Sequence, residues 1–238
     1  MTGRYGNMSG RLLWPALGVS VNLPAAAGAA PAAPRMRPTE DQMLDAACAV
    51  FAAQGFANTS MEAIATRAGT TKPTLYARFG SKDQLFARAV RREHELLNSW
   101  IAKEYATGTD EPFRQRLHRW VAVYFDFVRE RPDGFRLTFE GERHTDAAAA
   151  IEQATRERID RIALLVAQVS GRPAGAGPRV VAAAVVGMLR WCAHEAITDP
   201  ALGLDRIAVL AEHMVYAMMR DLDVATMDQI TAADIASQ

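Results

Sequence analysis

Cysteine is scarce in this sequence, and the usual metal-binding patterns are missing. The chain has 238 residues but only two cysteines, Cys48 and Cys192, each inside an apolar helical pattern. Two isolated cysteines do not form the disulfide framework of a secreted protein, so we expect a reducing, cytoplasmic location. The five histidines are scattered, without an HExxH motif or a closely spaced Cys/His group. No metal site is predicted.

The motifs of the common enzyme classes are also missing. The sequence has no glycine-rich phosphate loop, no GxSxG nucleophile elbow and no credible catalytic triad. His194 and Glu195 follow Trp191 in an apolar stretch, and they are interpreted either as polar groups of a cavity or as satisfied core residues. The chain is therefore expected to be neither an enzyme nor a cofactor-binding protein.

The sequence has no excess of positive or negative charge, but its charges are unevenly distributed along the chain. The net charge of zero is the sum of +3 over residues 1–36, +3 over residues 37–92 and −6 over residues 93–238. A basic front joined to an acidic body is typical of a protein whose first part contacts phosphate. Half of the residues are hydrophobic, which is enough for one or two compact cores.

Residues 1–36 are predicted to be a disordered, Ala/Pro-rich N-terminal extension. Its last third, Pro24 to Pro34, consists only of alanine, proline and glycine. One alternative is a signal peptide, because basic residues precede an apolar run, although Pro15 and Asn22 interrupt that run. Another is that translation starts at Met36.

The most informative stretch, residues 59–82, predicts two short helices joined by a turn. The signals for their starts and ends are Thr59 or Ser60, Gly69, Thr70 and Thr71, and Pro73. The hydroxyl residues cap the helix starts, and the glycine ends the first helix in a left-handed conformation. The proline lies in a first helical turn, where its missing N–H has no partner to lose.

The polar side chains of this stretch suit contact with DNA. Lysine and threonine bind base edges or phosphates, a helix N-terminus favours phosphate, and a helix of this size fits the major groove. The predicted base-facing residues are Thr71, Lys72, Pro73 and Thr74. The predicted phosphate contacts are Thr59, Ser60, Tyr76 and Lys82, and Thr70 and Arg78 complete the predicted DNA-binding set.

The same stretch resembles the signature of the TetR (tetracycline repressor) family. The matching segments are Ile64-Ala65, Ala68-Gly69, Lys72-Pro73-Thr74-Leu75-Tyr76, Phe79-Gly80-Ser81-Lys82 and Leu85-Phe86. They occur in order within about residues 39–90, which makes the match more specific than a general helix-turn-helix pattern. Thr70 departs from the apolar residue common in the family and Ala77 from a larger polar one, and these departures concern docking geometry.

The remaining pattern is helical throughout and predicts an all-α fold. A first helix is expected from the start signal at residues 38–41 to Gln54, and a long helix from Lys82 to about Tyr105. Further helices are expected at residues 111–131, from Asp133, and at residues 146–170, 178–198 and 204–222. The predicted organisation is a three-helix DNA-binding domain at 37–84, a helical effector-binding and dimerisation domain at 85–222, and a C-terminal tail at 223–238.

Aromatic residues of the second domain indicate a small-molecule pocket with an apolar lining. The predicted lining is Trp120, Tyr124, Phe127, Phe135, Phe139, Met188, Trp191 and Glu195. Aromatic stripes at helical spacing are more often ordinary core, which is the alternative for each of these residues. The lining predicts an apolar or aromatic effector.

Together, the residues and the resemblance predict a ligand-responsive DNA-binding regulator, a repressor released from a palindromic operator by its effector. The resemblance implies that the last two helices pair with those of a second subunit as a four-helix bundle, and that effector binding moves the long helix and changes the separation of the two DNA-reading helices. An intrachain helix pair is the alternative for that pairing. A helical small-molecule binding protein without DNA binding is one alternative function, and a small helical enzyme whose site contains His194 and Glu195 is another. The expected partners are double-stranded operator DNA, a small-molecule effector and a second copy of the chain, and no membrane.

Overall fold

The structure, a computed structural model, describes residues 37–105, 110–140 and 145–236. These residues form α-helices and a 3₁₀ turn, Pro200–Leu202, with no strand among them, which confirms the predicted all-α class. The helices are α1 Glu40–Asn58, α2 Met61–Ala68, α3 Lys72–Phe79, α4 Lys82–Tyr105, α5 Phe113–Glu130, α6 Pro132–Glu140, α7 Thr145–Ser170, α8 Ala176–Thr198, α9 Leu204–Arg220 and α10 Val224–Ala236. The extension predicted at residues 1–36 lies outside the described residues.

Helices α1, α2 and α3 pack with the first half of α4 around one apolar core. Its fully buried side chains include Phe51, Ile64, Leu75 and Phe86. The rings of Phe51 and Phe86 meet edge to face, with their centroids 4.9 Å apart. Helices as short as α2 and α3 are marginal in isolation, so this shared core is what stabilises them.

Gly55 bends the end of α1. The sequence places the helix end at Gln54, and Gly55 does leave the helical conformation, with φ of 73° in the left-handed region. Helical structure then continues to Asn58 beyond the bend. The bend turns the last carbonyl groups of α1 towards the start of α4.

Helix α5 lies at the centre of the remaining helices, as its apolar circumference predicts. Leu117, Val121, Phe125 and Val128 are all buried. They belong to a core to which α4, α8 and α9 also contribute. A further apolar cluster lies between α7, α8 and α10.

Pro132 begins α6 instead of serving only to stop α5. The sequence predicts that Pro132 ends one helix and that Asp133 starts the next, whereas the structure has α5 ending at Glu130 and α6 starting at Pro132. A proline is accommodated at a first helical position because the N–H group there has no intrahelical partner.

The segment predicted only as a C-terminal tail contains α10. Its start is capped by Asp223, whose carboxylate accepts hydrogen bonds from the N–H groups of Ala225 at 3.1 Å and Thr226 at 3.2 Å. The helix docks on the start of α8, where a Cβ on Gly177 would lie 2.2 Å from the carbonyl oxygen of Met227. Only glycine permits this close approach.

Among the described helices, α8 is long and apolar enough to cross a membrane, judged by its length and composition alone. Its mean hydropathy is 1.4. The core helix of a soluble protein meets the same criterion. In this structure α8 packs against α7, α9 and α10.

The carboxylate of Glu93, on α4, is fully buried and holds two arginines. Its Oε1 accepts hydrogen bonds from Nη2 of Arg92 and Nη2 of Arg131, both at 2.7 Å, and its Oε2 accepts one from Nε of Arg131 at 2.6 Å. The two arginines also bind Asp45 of α1, at 2.6 Å and 2.7 Å. Arg131 lies between α5 and α6, so the cluster ties α1 to α4 and to the α5–α6 corner.

The surroundings of this cluster shift the pKa values of Asp45 and of the neighbouring Cys48. Burial acts to raise the pKa of Asp45, but the hydrogen bonds and charges of Arg131 and Arg92 outweigh it and hold that pKa below its ordinary value. Burial and the neighbouring Glu93 carboxylate raise the pKa of the Cys48 thiol to about 12. Cys48 is therefore a protonated core residue, in keeping with its predicted inert role.

Replacing Glu93 by glutamine is expected to destabilise the fold by about 3 kcal/mol or more, because two largely buried guanidinium groups lose their shared charge partner. The measurement is the urea midpoint of unfolding. The control is Glu152→Gln, which removes the carboxylate that faces Arg156 on the exposed side of α7. That change is expected to cost only about 0.3–0.5 kcal/mol. Equal midpoints for the two variants would contradict a structural role for the cluster.

Candidate nucleic-acid interface and apolar cavity

The α2–α3 corner is built by the capping residues that the sequence indicates. Ser60 caps α2 by accepting a hydrogen bond from the Ala63 N–H at 3.1 Å. Gly69 ends α2 with φ of 66° and ψ of 32°, a left-handed conformation. Thr71 caps α3 by accepting from the Thr74 N–H at 3.3 Å. The result is a helix, a tight turn and a second helix.

Leu75 anchors α3 in the core, and the opposite face of the helix is exposed to solvent. Leu75 is fully buried in the core below the helix. The predicted base-facing residues, Thr71, Lys72, Pro73 and Thr74, are all exposed at the helix N-terminus. Tyr76 is 46% exposed on the next turn. The structure thus brings the predicted base-facing set together on one surface, where the N-terminal N–H groups of the helix favour an anion.

Lys82 is occupied by contacts within the protein. Its ammonium group donates to the carbonyl oxygens of Phe56 at 2.9 Å and Thr59 at 3.0 Å. It also lies 4.4 Å from the centroid of the Phe56 ring. These contacts close the end of α1 after its bend, whereas the sequence predicts a phosphate contact, so the visible role of Lys82 is structural.

Thr59 differs from its predicted position at the surface. Its side chain is 3% exposed, and its hydroxyl donates to the carbonyl oxygen of Gly55 at 2.8 Å. The bend at Gly55 removes regular helical partners from nearby carbonyl groups, and this hydroxyl replaces one of them. Of the two candidate caps of α2, Ser60 takes that role and remains exposed.

Arg78 and Thr70 complete the predicted DNA-binding set. Arg78 is exposed and forms an ion pair with Glu40, with Nη2 2.6 Å from Oε2. This hydrogen bond holds the pKa of Glu40 below its ordinary value. Exposed pairs of this kind are weak, so Arg78 is able to exchange partners at little cost. Thr70 is half-buried at the turn, and its N–H donates to Ala65 O at 3.0 Å.

A second candidate site is a small apolar cavity of about 50 Å³ between α4, α5, α7, α8 and α9. That volume is smaller than the usual small-molecule site, so a larger ligand requires the surrounding side chains to move. Its lining consists of Tyr105, Phe113, Leu117, Trp120, Val121, Ile162, Leu165, Val166, Val169, Val185, Leu189, Val215 and Met219. Most of these residues are aliphatic.

The predicted lining residues are distributed over several environments. Trp120 lines the cavity. Three others are buried in the surrounding packing, namely Tyr124, Phe127 and Phe135, and Met188 is half-buried. Trp191, 59% exposed, and Glu195 lie on the outer face of α8, away from the cavity. The side chain of Phe139 lies outside the described residues.

Sequence reasoning missed the aliphatic lining and the buried Arg158. Periodicity marks Ile162, Val166 and Val185 as inward-facing, but it does not separate a cavity wall from close-packed core. Arg158 occurs among other charged residues of α7, a pattern typical of a solvated face. The sequence carries no signal that this particular arginine is buried.

Comparison with known proteins agrees with the helix-turn-helix geometry. The family model described as "Bacterial regulatory proteins, tetR family" matches residues 43–89. The HTH-type transcriptional activator FasR of Mycolicibacterium smegmatis is 37% identical over 132 residues, 55% of this chain and 59% of that protein. The HTH-type transcriptional repressor NicS of Pseudomonas putida is 32% identical over 95 residues, 40% of this chain and 44% of that protein. The chain therefore spans about half the length of these curated relatives.

Solved structures extend the likeness beyond the first helices. A TetR-like transcriptional regulator from Rhodococcus sp. RHA1 has 27% identity and a TM-score of 0.63, covering 76% of this chain and 96% of that chain. A tetR-family regulator from Streptomyces coelicolor shares the fold with a TM-score of 0.61 at 21% identity, covering 82% of this chain and 88% of that chain. The capped α2–α3 corner thus matches the tetR family of bacterial regulatory proteins over residues 43–89, and the described helices share the fold of TetR-like transcriptional regulators.

Proposed function

We propose that this protein is a ligand-responsive transcriptional repressor that binds a palindromic operator as a homodimer and is released from it by a small apolar effector. Its relatives are named as transcriptional regulators, one an activator and one a repressor. We infer no catalytic activity. A regulator of this kind works in the compartment that holds the chromosome, which in bacteria is the cytoplasm.

The exposed N-terminal half of α3 is the observation that carries the DNA-binding role. Lys72 makes no hydrogen bond or ion pair with any described residue, so its ammonium group is available to a ligand. Thr71 and Thr74 present hydroxyls beside it, 2.8 Å apart. Such groups at the start of a helix in the major groove contact base edges, and the helix N-terminus contacts phosphate.

Exposed apolar side chains on α8 and α9 support a homodimer. Val180 and Trp191 of α8 are 57% and 59% exposed, and Leu210 of α9 is 52% exposed. Val180, Gly187 and Trp191 lie on one face of α8, and nothing lies within 4 Å of a Cβ built on Gly187. An apolar stripe with a small residue in the middle suits close packing against a second copy. A two-fold operator requires two recognition helices about one helical turn of DNA apart, roughly 34 to 36 Å.

The route from the cavity to the DNA-binding helices passes through α4 and α5. Tyr105, at the end of α4, and Trp120 of α5 line the cavity. The opposite end of α5 leads into Arg131, which binds Asp45 of α1 through the Glu93 cluster. An effector that changes the packing of α4 against α5 would therefore shift α1 and the helices packed on it. The effector acts only through its preference for the released conformation.

Replacing Lys72 by methionine is expected to weaken operator binding about tenfold or more and to relax the choice of base at one operator position, because a base contact is worth about 1–3 kcal/mol. The measurement is an electrophoretic shift on a genomic fragment selected by binding, with a random fragment as competitor. The thermal midpoint is expected to be unchanged. Unaltered affinity would contradict the base-reading role, and equal weakening on all sequences would indicate a phosphate contact.

Lys82→Met is the matched comparison for Lys72→Met. It removes a cation that bonds two carbonyl oxygens of the protein, and charged hydrogen bonds contribute about 1.5–3 kcal/mol each. We expect a lower thermal midpoint for Lys82→Met. A midpoint equal to that of the Lys72 variant would show that the capping contacts contribute little.

Gly187→Arg is expected to produce a folded monomer that no longer binds the operator. The added side chain has open space within one chain and raises helix propensity, but it blocks a second copy from approaching α8. Sedimentation velocity gives the mass and circular dichroism gives the helix content. Gln153→Arg, on the exposed face of α7, is the control and should remain dimeric. A dimeric Gly187→Arg would place the interface elsewhere.

A further inference from the structure

Arg158 of α7 is a buried arginine whose partners are neutral. Its side chain is 6% exposed. Its Nε donates to Oδ1 of Asn98 at 2.8 Å, and its Nη2 lies 3.4 Å from Nδ1 of His94. Within the part of the chain that the structure describes, no carboxylate forms an ion pair with it, whereas the largely buried Arg92 has both Glu93 and Asp45. An uncompensated buried charge is costly, and Arg158 shares this feature with Arg116 of α5, which is stacked on Trp120.

His94 supplies a second buried donor beside Arg158. Burial, followed by the charges of Arg158 and Arg190, lowers the pKa of His94 to about 3, so its ring is neutral. An arginine only donates, so Nδ1 of His94 accepts, and the ring proton lies on Nε2. That Nε2 is buried without a hydrogen-bond partner. His94 therefore has a buried N–H group that lacks an acceptor, on the side of the ring away from Arg158.

The electrostatic surroundings of Arg158 are positive. Burial lowers the pKa of Arg158, and the charges of Arg190 and Arg161 act in the same direction. The phenols of Tyr124 and Tyr105 oppose this, but they are neutral hydroxyls whose own pKa values are raised by burial. A positive, desolvated site whose buried guanidinium has no carboxylate partner is complementary to an anion.

The site adjoins the apolar cavity. Ile162 lines that cavity and lies one helical turn after Arg158 on α7. Tyr105 lines it as well, and its phenol is within electrostatic reach of the Arg158 guanidinium. The backbone of Arg158 is thus one helical turn from a residue of the cavity wall, and its guanidinium lies near the phenol of another.

We propose that Arg158 binds the carboxylate of an apolar carboxylic acid whose hydrocarbon part occupies the cavity. This inference rests on the proposed function, because the acid would be the effector. A planar guanidinium and a carboxylate form two parallel hydrogen bonds, which an alcohol or an ester does not reproduce.

The test compares acids with matched alcohols by titration calorimetry on the full chain in the absence of DNA. The probes are decanoate against 1-decanol and 2-naphthoate against 2-naphthol, which cover aliphatic and aromatic bodies. For at least one pair, we expect the acid to bind about tenfold or more tightly than its alcohol, the size of a charged hydrogen bond. Binding of neither acid, or equal binding of acid and alcohol in both pairs, overturns the proposal.

Arginine variants show which charge is responsible for the preference for the acid over the alcohol. Arg158→Met is expected to abolish the preference for the acid, and Arg156→Met, an exposed change on the same helix, is expected to retain it. Arg158→Lys keeps the charge but not the planar fork, so it should retain a weaker preference, and it keeps the test informative if the methionine variant does not fold. Loss of preference in Arg116→Met but not in Arg158→Met would overturn the assignment, because Arg116 is a buried arginine stacked on Trp120.

Measuring whether the acids release the protein from operator DNA distinguishes failure of this inference from failure of the proposed function on which it rests. Where an operator complex forms but neither acid dissociates it or binds, the inference fails and the regulator stands. Where an acid binds with the expected preference but the chain forms no operator complex, the acid site stands and the regulator fails.

Discussion

The fold depends on a single buried carboxylate, that of Glu93. It neutralises Arg92 and Arg131, and through them it joins α1, α4 and the corner between α5 and α6. Gly134 of α6 belongs to the same arrangement, because a Cβ there would lie 2.2 Å from the Glu93 Oε2. The helices that pack around α3 and the helices that enclose the cavity are therefore attached to each other by buried, hydrogen-bonded charges.

A cationic side chain of this protein is available to a ligand only where the chain itself does not already provide a partner for it. Lys82 bonds two carbonyl oxygens at the end of α1. Lys72, ten residues earlier, makes no ion pair with a described residue and faces solvent on α3. Arg158 is buried and has only neutral partners. A group without a partner is one that a ligand stabilises, so the same principle connects the DNA-facing surface with the proposed acid site.

Much of the helical architecture follows from local rules. Capping hydroxyls at Ser60 and Thr71 and the left-handed Gly69 define the α2–α3 corner, and these signals depend only on neighbouring residues. Apolar periodicity correctly gave α4 from Lys82 to Tyr105 and indicated α5 as a central helix. The missed element was α10, which has no regular apolar stripe and is held by a close contact with Gly177 that no local pattern records.

The sequence by itself determined the helices other than α10 and the all-α class of the fold, because capping and periodicity act over a few residues. The tertiary structure alone decided which side chains are available to a partner. Thr59 is buried although its neighbour Ser60 is exposed, Trp191 is exposed in an apolar helix, and Arg158 is buried in a charged one. Exposure depends on which distant helix covers a given face, and that is set by packing between residues far apart in the chain.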